Sequence, residues 1–130
     1  MANTFKVVTF AAEPASAGTP YTVYTTPSST TTVVIGLILT NIHTAQVTAD
    51  VKLVSDTSGG GRAATNGTAF LANDVPIPVG SSLELLSGGK VILETTDAIQ
   101  IDCSVADKIS GTLSIMEITY DAIHRTSCSR

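Results

Sequence analysis

Hydrophobic and polar residues follow one another along this chain in the patterns of β-strands. From Gln46 to Leu53 every second residue is apolar, which is the repeat of a strand with one buried face. The preceding segment Val33–Leu39 is apolar at nearly every position, which predicts a strand buried on both faces. In so short a chain, that second face needs a cover from the same chain or from a neighbour. This pattern is the first indication that the protein works by assembling.

Other segments with strand patterns recur at intervals of about 8–12 residues, with turn residues between them, as in sandwiches and barrels. Ser87-Gly88-Gly89 lies between two of them and indicates a hairpin. Pro76 and Pro78 keep residues 75–79 out of the middle of a sheet. No segment has the period of a helix of ordinary length, although 122–124 is compatible with a terminal turn. The further predicted strands are Thr4–Phe10 (a first strand or an extended arm), Tyr21–Thr26, Ser81–Leu86, Lys90–Glu94, Ala98–Val105 and Ile109–Tyr120.

The predicted fold class is therefore all-β: an antiparallel, jelly-roll-like β-sandwich with an extended N-terminal arm. Glu13–Pro20 contains two prolines and small residues but no hydrophobic anchor, which predicts a flexible linker. We accordingly divide the chain into an arm and linker (1–20), the sandwich (21–120) and a C-terminal tail (121–130). We expect the linker to free the arm, so that it adds a strand to the sheet edge of a neighbouring subunit.

The composition agrees with an all-β, assembling protein. Only 14% of the 130 residues are charged, against about 25% in typical soluble domains. Thr and Ser, which together make up about a quarter of the chain, take the place of the missing charges, and Thr favours pleated surfaces. A surface with few charges is easier to cover with another subunit, because fewer ions must be desolvated.

The charge distribution argues against nucleic-acid binding. The net charge is −4, and the seven Lys and Arg residues are scattered without a basic stripe. No segment is long enough for a membrane span, and the short run before Ala15-Ser16-Ala17 is a poor secretion signal. We therefore predict no nucleic-acid partner, no membrane partner and synthesis in the cytoplasm.

Candidate catalytic and metal-binding residues are few. Gly88-Gly89-Lys90 lacks the other parts of a phosphate loop, and His43 and His124 have no companions at ligand spacing. Glu94, Asp97 and Asp102 are interpreted as ordinary surface acids, and Cys103 as a buried structural thiol. Cys128 lies in a polar tail and is interpreted as a free thiol. We predict no enzymatic activity, no catalytic residue, no cofactor and no metal.

Sugar binding is the main alternative from a different functional class, because small β-sandwiches often serve as carbohydrate-binding or adhesive modules. Such modules hold sugars on aromatic faces. This chain has no Trp, and Tyr21 and Tyr24 are expected to point to opposite faces of one strand, with Tyr120 near the tail. The chain therefore has few aromatic rings with which to bind a sugar.

The order of these segments resembles the small virion structural proteins of tailed bacteriophages, in particular those of phages that infect cyanobacteria and other aquatic bacteria. The resemblance covers roughly residues 21–119. It is carried by the segments Tyr21–Pro27, Val33–Leu37 with Thr40-Asn41, Asp50–Leu53, Phe70–Leu83, Lys90–Glu94 and Leu113–Thr119. The resemblance implies a β-sandwich that assembles on the particle, often as a symmetric oligomer, and it implies no catalytic residues.

From this resemblance we expect a capsid decoration (cement) protein in the virion, assembled in the host cytoplasm. Its partners would be itself, as a homotrimer, and the major capsid protein; a neck, tail or fibre component is the alternative. The residues expected to contact other subunits or the shell are Phe5, Val7, Phe10, Val34, Ile38, Met116 and Ile118. If the arm binds a neighbour, deleting residues 1–19 should reduce particle binding far more than folding.

Overall fold

The computed structural model describes residues 2–58, 64–86 and 89–120. The predicted tail at 121–130, with its terminal turn and Cys128, lies outside these residues. Within them the secondary structure consists of strands, and no helix is present. The strands are β1 (Ala2–Glu13), β2 (Tyr21–Thr25), β3 (Thr30–Asn41), β4 (Val47–Val54), β5 (Ala69–Ile77), β6 (Ser82–Leu85), β7 (Val91–Leu93), β8 (Ala98–Cys103) and β9 (Ile109–Thr119).

The strands form two antiparallel sheets that pack face to face, which confirms the predicted β-sandwich. The first sheet has the order β1-β9-β3-β6, with β7 also paired to β3, and the second has the order β2-β8-β4-β5. Side chains from both sheets meet in one core, in which Val34, Leu37, Leu113 and Ile115 face Val51 and its neighbours on the second sheet. Burial of these apolar side chains is the main stabilising contribution of the fold.

The N-terminal segment is a strand of the chain's own sandwich, and the prediction of a free arm is corrected. β1 pairs with β9 in unbroken register from Ala2–Thr119 to Phe10–Gly111. After β1, the backbone carbonyl of Pro14 accepts a hydrogen bond from the Asp107 N–H, and the Gly18 N–H bonds to Asp102. Because the linker is held in this way, residues 2–20 are not a unit separate from the sandwich.

The predicted hairpin between Ser81–Leu86 and Lys90–Glu94 is also wrong. β6 and β7 do not pair with each other; both pair antiparallel with β3, β6 beside Leu37–Thr40 and β7 beside Thr32–Val34. The two short strands therefore run in the same direction along one edge of β3. Of the three residues that indicated the turn, Ser87 and Gly88 lie outside the described part of the chain.

A bulge explains why both tyrosines of β2 contact the core, contrary to the prediction that they point to opposite faces. The pairing of β2 with β8 shifts by one residue between Thr22 and Tyr24. Tyr21, buried Val23 and Tyr24 all pack against the core as a result. The ring of Tyr21 lies 5.3 Å from the ring of Phe10, centroid to centroid. These two tyrosines thus support the junction of the two sheets.

Gly111 is required by the packing of Phe10, its cross-strand partner. A Cβ at Gly111 would lie 2.5 Å from Cε1 of the Phe10 ring and closer still to Cζ. Because Phe10 is buried and has little room to move, we expect Gly111→Ala to lower the free energy of unfolding by about 1–3 kcal/mol. Urea denaturation measures this. Gly36→Ala is the matched control, since a Cβ there would meet only the Leu85 carbonyl oxygen, at 3.9 Å; equal stability losses in the two variants would refute the explanation.

Candidate functional site: an uncharged outer sheet face

The outer face of the first sheet is almost free of charge. Alternate residues of β1, β9 and β3 point away from the core, and the register places them in rows across the sheet. Among the described strand residues of this face, Glu84 at the β6 edge is the one charged side chain. We call this surface the uncharged face; its residues are Asn3, Phe5, Val7, Thr9, Thr31, Val33, Ile35, Gly36, Ile38, Thr40, Ser82, Glu84, Ile92, Ser110, Thr112, Ser114, Met116 and Ile118.

An apolar row crosses this face from edge to edge. Phe5 pairs with Met116, Met116 with Val33, and Val33 with Ile92, so that four strands each contribute one apolar side chain. The outermost two are open to solvent: Phe5 is 73% exposed and Ile92 is 53% exposed. A contiguous exposed apolar patch on a soluble protein often marks an interaction surface.

A shallow cavity of about 200 Å³ opens beside this row. It exists because the β3 backbone bulges between Val34 and Gly36, and because Gly36 has no side chain to fill the space. Its lining is apolar and hydroxyl-bearing, with one acid at the rim: Ile35, Gly36, Leu37, Ile38, Glu84, Leu85, Thr112 and Ser114. A cavity of this size accommodates one or two side chains of a partner protein.

The predicted contact residues divide between this face and the core. Phe5, Val7 and Ile38 are exposed on the uncharged face, and Met116 and Ile118 are half-buried there. Phe10 and Val34 are corrected: both lie in the chain's own core, with 8% and no exposure, and cannot touch a partner. Strand alternation decides the difference, since odd residues of β1 point outward and Phe10 points inward.

Two residues of the apolar row, Val33 and Ile92, were missed by the sequence reasoning. Val33 belongs to a run that is apolar on both faces, so its orientation depends on the bulge that follows it. Ile92 lies in the three-residue strand β7, where its neighbour Leu93 is fully buried. Once the inward orientation of Leu93 is known, alternation places Ile92 outside. The sequence alone does not supply that orientation.

The outer face of the second sheet has a different character. Asp50, Lys52 and Asp102 project from its central strands, and Asp74 lies on the neighbouring edge strand. Lys52 Nζ lies 5.4 Å from the ring centroid of Phe70, which is 53% exposed. This face is thus suited to contact with water, and the absence of charge on the sandwich surface is confined to one side.

A polar network ties the two sheets together beneath β1. Glu117 of β9 is buried, and its carboxylate accepts hydrogen bonds from Lys6 Nζ at 2.8 Å and from the Tyr24 hydroxyl at 2.5 Å. The Tyr24 hydroxyl also lies 2.8 Å from the Thr32 hydroxyl. The network thereby joins three strands of the first sheet to β2 of the second.

The network shifts the pKa values of Glu117 and Tyr24 in opposite directions. The hydrogen bond from Lys6, followed by that from Tyr24, lowers the pKa of Glu117 below its usual value. Burial, followed by the hydrogen bond to Glu117, raises the pKa of Tyr24 to about 12. The folded state therefore favours a charged Glu117 beside a neutral Tyr24.

We expect Glu117→Gln to lower the free energy of unfolding by about 1–3 kcal/mol, since it removes charge-assisted hydrogen bonds from a buried position. In the native protein the lowered pKa of Glu117 contributes stability above the unfolded pKa of about 4.3, and this contribution is lost as the pH falls further. Urea denaturation at several pH values checks both points. Below about pH 4.3 the variant should lose less stability than the native protein as the pH falls. An equal loss of stability in both proteins over this range would contradict the assignment.

The structure also shows the surroundings of Cys103 and His43, two of the residues that the sequence offered as candidates for chemistry or metal binding. Cys103 is buried and free, as predicted. His43 lies next to the buried Asn41, whose side chain bonds the His43 N–H and two backbone carbonyls. Within the described residues, His, Cys, Asp and Glu form no group of three or more that could hold a metal ion. In the same part of the chain, no helix has the length and hydrophobicity needed to cross a membrane.

Comparison with known proteins yields similarity in structure alone. No protein-family model and no curated protein sequence matches the chain. Two structures from infectious bursal disease virus, one of the Gx strain and one of the T13 viral particle, share its fold, each with a TM-score of 0.50. The sequence identities are 13% and 12%, and each match covers 88% of this chain. This chain spans about a third of those viral chains, 32% and 30%.

A third similar structure comes from Bacillus endospore appendages, described as disulfide-linked pili. It is 16% identical, and the match covers 92% of this chain and 88% of the appendage chain, with a TM-score of 0.45. The viral matches establish a shared fold.

Proposed function

We propose that this protein is a non-enzymatic structural subunit of an assembled protein particle, a virion component, and that the uncharged face is the surface by which it assembles. The observation that carries the proposal is the face itself: a row of apolar side chains across four strands, with Glu84 as the one charge among its described residues. A subunit that worked alone would gain nothing from exposing Phe5 and Ile92 to water.

The physical basis is the low cost of covering such a face. Interface cores are depleted in charged residues, because each buried ion must be desolvated or paired. Phe5, Met116 and Ile92 present aromatic, thioether and aliphatic surfaces, of which aromatic residues and Met are enriched in interfaces. The hydroxyls of Ser114 and Thr112 supply hydrogen bonds between them without adding charge.

In its more specific form, the proposal is a capsid decoration (cement) protein of a tailed bacteriophage. It would form a homotrimer, bind the major capsid protein and reside in the virion after assembly in the host cytoplasm. The resemblance of residues 21–119 to small phage virion proteins supports this, and the fold that the chain shares with the two bursal disease virus structures is compatible with it. A neck, tail or fibre position is the alternative within the same class.

Light scattering on the purified protein over a wide range of concentrations tests the general proposal. We expect a discrete oligomer that dissociates on dilution; a monomer at every concentration, with no binding to shell protein, would overturn it. Electron cryomicroscopy of the intact particle tests the specific form. Density for this sandwich on the outer surface of the capsid supports the decoration role, and density at the neck or tail would replace it with the alternative.

A further inference from the structure

In the part of the chain that the structure describes, the two sheets have four edges, and three of them are protected against pairing with another strand. β6 and β7 divide one edge into pieces of four and three residues. β2 has five residues, a bulge and a proline on either side, at 20 and 27. β5 carries Pro76, two register shifts and a positive φ of 52° at Asp74. Short strands, bulges and prolines are the usual devices that keep edges unpaired.

Over Ala2–Phe10, the edge formed by β1 has none of these protections; the register shift of β1, between Phe10 and Glu13, and the proline at 14 lie beyond this stretch. β1 is 12 residues long, contains no proline, and stays in register with β9 from Ala2 to Phe10. One charged side chain, Lys6, lies within this stretch, and its ammonium group is held by Glu117 at 2.8 Å. Because β1 lies at the edge of the sheet, its backbone N–H and C=O groups that point away from β9 have no partner strand among the described residues.

We propose that β1 pairs antiparallel with β1 of a second copy, so that the first sheets of two subunits join into one. The inference rests on the proposed self-assembly but not on its homotrimeric form, because a two-fold contact cannot occur between the subunits of a three-fold ring. A two-fold axis lets identical strands pair with each other, and two-fold pairs are the commonest symmetric contact. Joining the edges also makes the two uncharged faces continuous, because Phe5 and Val7 of both copies lie on the same side of the joined sheet.

Side-chain chemistry limits the register of this pairing. In an antiparallel pair around a two-fold axis, the central residue of one strand lies opposite the same residue of the other. A centre at Lys6 would place two ammonium groups opposite each other, which is unfavourable. A centre at Phe5 gives an aromatic cross-strand pair, and a centre at Val7 gives an aliphatic one; both are favourable.

Disulfide trapping tests the pairing and identifies its centre. Phe5→Cys, Lys6→Cys and Val7→Cys are each made in a Cys128→Ser background, with Thr22→Cys on the protected edge β2 as the matched control. Directly opposed residues of paired strands meet the Cα distance of a disulfide. Under mild oxidation we expect Phe5→Cys or Val7→Cys to form covalent dimers roughly tenfold faster than Lys6→Cys or Thr22→Cys. Uniform, slow crosslinking at all four positions would overturn the pairing.

Amide hydrogen exchange on the native sequence provides a second test that no substitution can disturb. In the associated state, consecutive amides from Asn3 to Thr9 should all exchange slowly; in the dilute monomer every second one should exchange fast, because it points away from β9. If alternate amides stay fast in a protein that light scattering shows to be associated, the edge pairing is wrong while the proposed self-assembly stands. If the protein does not associate at all, both are wrong.

Discussion

Met116→Lys is expected to abolish self-association while leaving the protein folded. Met116 lies in the middle of the apolar row, between Phe5 and Val33, so any partner that covers the row must cover position 116. A lysine there can extend its ammonium group into water in the monomer. In the assembly that group would be buried without a partner, at a cost of several kcal/mol, or at least about a hundredfold in affinity.

The control for this variant carries the same new charge on the opposite side of the sandwich. Thr48→Lys lies on β4, a central strand of the second sheet, near Asp50 and Asp102. It should associate as the native protein does, and both variants should unfold within about 1 kcal/mol of it. Sedimentation velocity over a dilution series measures association. Undiminished association of Met116→Lys would mean that the uncharged face is not the contact.

Deleting residues 1–19 is expected to unfold the protein, contrary to the expectation from sequence that the deletion spares folding. The deletion removes the whole pairing of β1 with β9, takes Phe10 out of the core and leaves Glu117 without Lys6. The combined loss is comparable to the entire stability of a small protein, about 5–15 kcal/mol. Circular dichroism and urea denaturation check this, and a peptide of residues 2–13 added in trans should restore the fold.

Two phenylalanines of β1 separate the folding role of this strand from its assembly role. Phe10→Ala should lower the free energy of unfolding by about 3–5 kcal/mol, since Phe10 is buried against Gly111 and Tyr21. Phe5→Ala should change stability by less than about 1 kcal/mol but weaken association, because Phe5 is 73% exposed. A truncated protein that remains folded, or equal stability losses in the two variants, would show that β1 is not an integral strand.

The local pattern of the sequence was sufficient to predict most of the strands and the fold class. Gln46–Leu53 alternates because one side of β4 faces the core, and the observed strand Val47–Val54 has that alternation in its burial. Pro76 indicated that β5 could not be central, and β5 lies at the edge of the second sheet. These features depend on periodicity and on proline geometry, which act over a few residues.

Features that depend on distant pairing could not be predicted from the sequence. The turn residues at 87–89 indicated a hairpin between β6 and β7. In the structure both strands pair instead with β3, which lies about 50 residues earlier in the chain. The arm interpretation failed for the same reason, because nothing in 4–10 indicates that β9 is its partner.

For a related physical reason, the sequence predicted only some of the residues of the candidate site. A strand that is apolar on both faces, such as 33–39, does not reveal which residues point inward, and a bulge at Gly36 reverses the alternation midway. Ile38 is therefore exposed on the outer face, whereas Val34 is buried in the core. The composition showed that the chain has few charged residues. That one face of the sandwich is nearly free of them could be recognised only from the register of four strands.

Hydroxyl-radical footprinting of the assembled and the dilute protein tests the central claim most directly, because Met and Phe are oxidised readily and each outer face carries an exposed Phe. Phe5 and Met116 mark the uncharged face, and Phe70, 53% exposed on the second sheet, is the internal reference. We predict that assembly slows the oxidation of Phe5 and Met116 by about tenfold or more and leaves Phe70 unchanged. Oxidation of Phe5 and Met116 at the same rate in both states would contradict the account.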